Sequence, residues 1–143
     1  MKKVLVINGP SLNLLGIREV DIYGKTTYKD LVKLINKEAK VLNLKTKCVQ
    51  SNYEGKIIDY IQKAYSKFDG IIINPGAYSH YSYAIRDAIA SVNIKTIEVH
   101  ISDVLNREPF RASLVISDVC SKTIIGKGIN GYLEALKEFE WKR

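Results

Sequence analysis

The chain has two histidines, and each stands just past a short apolar run that reads as a strand. His80 follows the run Gly70 to Ile73, and His100 follows Ile94 to Val99. Glu98 lies two residues before His100, so on a strand both side chains project to one face. A carboxylate beside an imidazole fixes one tautomer and favours the protonated ring, which suits a general acid. The same pair would serve equally well as a structural ion pair. Arg18 and Tyr23 share the segment after the first apolar run, and Arg107 and Arg111 follow the fourth. A tyrosine at its ordinary pKa of about 10 is a poor base, but guanidinium groups within reach favour the phenolate. Asn8, Ser11, Asn74 and Ser102 also fall just beyond apolar runs. Together these residues supply an acid, a potential base and fixed positive charge.

The elements that must position them follow from periodicity. Lys3 to Ile7 reads as a buried strand stopped by Asn8-Gly9-Pro10, and residues 9–24 form a long aperiodic loop. Loops of that length in a compact domain are usually functional. Thr26–Thr27 caps a helix running to about Leu42, with Leu31, Leu34, Ile35 and Leu42 on one face and Asn43 ending it. Leu44 to Val49 alternates as a half-exposed edge strand. A helix over about Glu54 to Lys67 buries Ile57, Ile58, Ile61, Ala64 and Tyr65. The strand Gly70 to Ile73 is followed by a helix over Ser82 to Ser91. Strand four, Ile94 to Val99, precedes a charged loop over Ser102 to Arg111. Cys120 to Ile125 makes a fifth strand. Ile129, Tyr132, Leu133 and Leu136 mark a final amphipathic helix. Alternating strands and helices imply an α/β fold, a flavodoxin-like doubly wound five-stranded parallel sheet.

Bulk composition narrows the function. The 143 residues are 46% hydrophobic and 26% charged, which suits one globular catalytic domain over residues 1–143, with about 9–24 as a lid. No apolar stretch approaches a membrane span, and the four-residue run after Lys2 and Lys3 is too short for a signal peptide. Cys48 and Cys120 are isolated and read as reduced thiols of a cytoplasmic protein. The formal charge of +7 raises the possibility of nucleic acid, but the lysines are scattered over helix faces, and small anions fit better. An RNA- or anion-binding module and a flavin-binding electron carrier are the competing classes. Neither accounts for both histidines, Glu98 and the loop tyrosine together.

Gly126-Lys-Gly-Ile-Asn-Gly131 matches the dinucleotide pattern, yet no second strand and no acidic residue stand about 20 positions on. The glycines read instead as a tight strand-to-helix turn. No metal-ligand spacing, GxSxG or Walker loop is present. No metal and no cofactor are therefore expected.

With these residues assembled, the chain resembles the type II 3-dehydroquinate dehydratases. The matching motifs are INGPSLNLLGIRE with Tyr23–Gly24, Gln50–Ser51–Asn52, IINPGAYSH, Arg86–Asp87, IEVHIS, REPFR and the terminal GKGINGYLEAL. The resemblance implies a shikimate-pathway lyase, dehydrating 3-dehydroquinate in the anti sense through an enolate. By position, Tyr23 would be the base at C2, with Arg18 favouring its phenolate and Arg107 assisting. His100, oriented by Glu98, would protonate the departing C1 hydroxyl. Asn74, Ile101 and Ser102 would hold the carboxylate and C1 hydroxyl. His80 and Arg111 would bind ring hydroxyls, as would Asp87 of a neighbouring subunit in trimers packed into dodecamers. Ser11 stands where the family usually has asparagine, whose amide places the water near the enolate. Serine implies a rate penalty rather than a lost reaction. Val20 stands where proline is common, which implies a looser lid.

Overall fold

A computed structural model describes residues 1–141. Its sheet contains β1 (Lys2–Asn8), β2 (Leu44–Gln50), β3 (Gly70–Asn74), β4 (Lys95–His100) and β5 (Lys122–Ile125). All neighbouring pairs are parallel, in the order β2-β1-β3-β4-β5. The helices are α1 (Val20–Tyr23), α2 (Tyr28–Val41), α3 (Glu54–Ala64), α4 (Tyr83–Val92) and α5 (Asn130–Lys137).

The wholly apolar central strands are explained by cover on both faces. Val4 and Val6 of β1 and Ile72 of β3 pack with Leu31 and Ile35 of α2 and Leu136 of α5. Their strand neighbours Leu5, Ile7, Ile71 and Ile73 pack on the other side with Ile57 and Ile61 of α3 and Ile85 and Ile89 of α4. Each such aliphatic side chain, fully withdrawn from water, contributes roughly 1.5–3 kcal/mol. No described helix is long and apolar enough to cross a membrane.

Local signals set most boundaries. Thr27 is the N-cap of α2, its side chain accepting from Asp30 N at 3.1 Å, and Asn43 ends that helix region with φ 58°. Ser82 caps α4 by accepting from Ile85 N at 3.0 Å. Several expectations are corrected. Leu34 lies off the buried face of α2 and is exposed. Tyr65 is also exposed, because α3 ends at Ala64 and the chain turns away through Ser66 at φ 63°. The fifth strand begins at Lys122, since Ser117–Val119 forms a short 3-10 turn that ends at Cys120. Both cysteines are free.

The segment 9–24 is not uniformly loop. Leu12–Leu14 is a 3-10 turn whose Leu12 is buried, as is Leu15. These leucines join the core beside α2, and in the stretch from Gly16 to Gly24 Ile17, Val20 and Ile22 are exposed while Tyr23 packs back against that core. Gly9 is required where the chain leaves β1, because a Cβ there would meet the Pro75 carbonyl oxygen at 2.7 Å.

Candidate active site

The strand order reverses between β1 and β3, which places a crevice beyond their carboxyl ends. Asn8 and Asn74 face each other there in register, both buried. A cavity of about 260 Å³ opens above them and beyond β4. Its walls include Ser11, Arg18, Tyr23, Asn74, His80, His100, Ile101, Ser102, Arg107 and Arg111. These are ten of the residues singled out by sequence. Glu98 and Asp87 are absent from the lining.

Glu98 lies directly behind the lining. It is fully buried, and its Oε2 meets His100 Nε2 at 2.5 Å. Ser117 Oγ donates to Oε1 at 2.6 Å, and Thr123 Oγ1 donates to it at 3.3 Å. A buried carboxylate needs such donors to offset lost hydration. The carboxylate accepts from Nε2, so Nε2 carries a proton and Nδ1 is left for other partners. Asp87 is exposed on α4, outside the cavity of its own chain.

The tyrosine is held from two sides. Arg107 Nη1 donates to Tyr23 Oη at 2.8 Å and to Ser102 Oγ at 3.0 Å. Arg18 lies instead against the ring face, its Cζ 4.2 Å from the centroid, and pairs with Glu19 at 3.0 Å. The resemblance implies the leading part for Arg18 and an assisting one for Arg107. In this structure the hydrogen bond to the phenol belongs to Arg107.

The remaining walls are braced by short contacts. His80 closes the 3-10 turn Gly76–His80, and its Nδ1 lies 2.9 Å from the Ser113 carbonyl oxygen. Burial lowers the His80 pKa from the ordinary histidine value, opposed by that hydrogen bond. Arg111 Nε lies 3.2 Å from Glu108 Oε2. The loop after β1 is fastened by β2 and the residues following it. Gln50 Nε2 donates to the Gly9 carbonyl at 3.1 Å, and Asn52 Oδ1 accepts from Ser11 N at 3.0 Å. Ser11 itself adopts φ 67°.

Sequence reasoning assigned no role to Gln50, Asn52, Ser117 or Thr123. Thr123 is the register partner of Glu98 on β5, so strand alignment would have found it. Ser117 sits in an aperiodic loop that carries no signal. Gly126 and Gly128 have φ 74° and 59° and make the tight turn expected of them, and Gly131 packs on Val99. Among the described residues, no group of three or more His, Cys, Asp or Glu side chains is placed to hold a metal ion.

A doubly wound sheet whose strand-end crevice sets a tyrosine and arginines around one cavity with a carboxylate-braced imidazole defines an α/β enzyme equipped for proton transfer. The family model described as "Dehydroquinase class II" matches residues 2–140, and the chain belongs to that family. It is 62% identical to the 3-dehydroquinate dehydratase of Caldicellulosiruptor saccharolyticus over 137 residues, 95% of this chain and 94% of that one. It is 53% identical to the enzyme of that name from Clostridium acetobutylicum, over 92% of this chain and 91% of the other. The crystal structure of a type II dehydroquinase from Butyrivibrio crossotus superposes with a TM-score of 0.96 at 56% identity, covering 98% of each chain.

Proposed function

We propose that the chain dehydrates 3-dehydroquinate to 3-dehydroshikimate in the shikimate pathway, by anti elimination through an enolate. The observation that carries the mechanism is the sharing of one cavity by the Arg107-bound Tyr23 hydroxyl and the Glu98-bound His100. A proton α to a ketone needs a base, and departing hydroxide needs an acid. Tyr23 takes the C2 proton, with Arg107 at its hydroxyl and Arg18 over its ring. His100 gives a proton to the leaving C1 hydroxyl, and the Glu98 carboxylate holds its ring in place. Asn74, Ile101 and Ser102 hold the carboxylate and the C1 hydroxyl. His80 and Arg111 bind ring hydroxyls, and a water held near Ser11 supports the enolate oxygen. The stretch from Gly16 to Gly24 acts as the lid that brings Arg18 and Tyr23 over the substrate and excludes water.

The cavity size suits a single small ring rather than a nucleotide. The basic balance of the chain favours an anionic substrate, and no nucleic acid, membrane or cofactor takes part. A cytoplasmic location fits the two free cysteines. The chain works as trimers packed into a dodecamer, in which the partner subunit's Asp87 completes the site. The exposure of Asp87 beside the exposed rings of Tyr81 and Tyr83 supports a subunit contact on that face. Light scattering on the pure protein tests the assembly, and a monomer would remove the shared site. The activity is tested by the ultraviolet absorbance of the conjugated enone formed from 3-dehydroquinate without added metal or nucleotide. No absorbance change would exclude the reaction.

A further inference from the structure

Tyr132 of α5 is fully buried, and its hydroxyl reaches the strand ends that floor the cavity. It accepts from Asn74 Nδ2 at 2.9 Å and donates to Asn8 Oδ1 at 2.7 Å. Asn74 Oδ1 accepts from Gly76 N at 3.1 Å. These contacts have only one consistent polarity. A backbone N–H can only donate, so the Asn74 oxygen must face Gly76 and its nitrogen must face Tyr132. The phenol oxygen then accepts from Asn74 and spends its own proton on Asn8. The Asn8 nitrogen is thereby turned toward the Val49 carbonyl, 3.5 Å away. Burial raises the Tyr132 pKa, so the hydroxyl keeps its proton throughout the working range and the polarity does not change with pH.

An Asn74 nitrogen carries two hydrogens, and Tyr132 takes one. Among the described residues no acceptor takes the second, and Asn74 lines the cavity. We propose that Tyr132 is a positioning residue, whose hydroxyl locks the Asn74 amide so that its free Nδ2–H is presented to the substrate. The proposal rests on the reading in which Asn74 holds the substrate. Without the hydroxyl the amide loses one of its two anchors, and presenting that N–H costs orientation on each binding event. Tyr132 touches no reacting atom. Its removal therefore acts on substrate holding rather than on proton transfer.

Steady-state kinetics of Tyr132→Phe, Asn74→Ala and the double variant test this. Tyr132→Phe is expected to raise KM about tenfold with kcat changed less than about threefold. The double variant is expected to be no worse in kcat/KM than Asn74→Ala alone, because Tyr132 acts only through that amide. Additive losses would overturn the proposal. An unchanged KM in Tyr132→Phe beside an impaired Asn74→Ala would also overturn it while leaving the role of Asn74 intact. Wild-type kinetics in Asn74→Ala would remove that role, and the proposal with it. Should Tyr132→Phe fail to fold, Asn8→Ala breaks the far end of the chain of hydrogen bonds from outside the cavity. It is expected to raise KM, and an unchanged KM would overturn the proposal.

Discussion

Arg107 donates to the Tyr23 hydroxyl at 2.8 Å, joining the end of α1 to the segment after β4, 84 positions apart in the chain. The same nitrogen donates to Ser102 at 3.0 Å, so the guanidinium is fixed by β4's exit before substrate arrives. A preorganised charge of this kind is worth far more than one that must be recruited. Replacing Arg107 with Gln should lower kcat/KM by about 10²-fold or more, with the loss concentrated in kcat. Arg18→Gln, which removes a cation from the ring face, should cost less. Stopped-flow measurement of the two variants checks the ordering, and a larger loss at Arg18 would return the leading part to that residue.

Ser117 contributes through a carboxylate it shares with His100. Ser117→Ala leaves the buried Oε1 of Glu98 with only the longer bond from Thr123, at 3.3 Å. Stability should fall by about 1–3 kcal/mol in denaturant titrations. Activity should fall as well, because a loosened carboxylate no longer fixes the His100 ring. A variant that loses stability while keeping full kcat would make Ser117 purely structural.

The lines of the fold were legible because both faces of the sheet are covered. Val4 to Ile7 and Ile71 to Ile73 read as buried strands whichever face each residue took. The alternation of strand and helix then left few topologies. The candidate site was legible wherever a rare residue type or a polar residue closing a wholly apolar run stood at a strand end, as with His100 and Asn74. It was not legible where a common residue acts through long-range packing. Ser117 and Thr123 reach Glu98 across 19 and 25 positions. Tyr132 shows only its apolar side to a periodicity argument, although its hydroxyl touches the ends of β1 and β3. Tyr65 was misplaced because α3 stops one residue before it, and Leu34 for a simpler reason. A helical face is wider on paper than the contact its neighbours can cover.

Ser11 bears two burdens at once. Its φ of 67° is a left-handed conformation that serine adopts reluctantly and asparagine more readily. Ser11→Asn should raise stability by about 0.5–1 kcal/mol and raise kcat if the longer amide holds the enolate water better. Thermal unfolding and steady-state assays separate the two effects. A stabilised variant with unchanged kcat would show that water placement does not limit the rate.

His80 makes stability depend on pH. Burial lowers its pKa below the ordinary 6.5, so the folded chain binds this proton less readily than the unfolded chain. Above the unfolded value both states are neutral at His80 and its contribution is fully present. As pH falls through that value the unfolded chain takes up the proton first, and stability is lost. Urea midpoints should therefore be lower at about pH 5.5 than at about pH 7.5, with a smaller difference in His80→Gln. An identical pH difference in the variant would assign the effect to other groups.

The base is the central claim, and one comparison tests it most directly. Ultraviolet progress curves with 3-dehydroquinate are recorded for the wild type and for Tyr23→Phe, alongside calorimetric titration of the variant with the same ligand. The account predicts a loss in kcat of at least about 10²- to 10⁴-fold, with ligand affinity and folding retained. Turnover at the wild-type rate in Tyr23→Phe would contradict it.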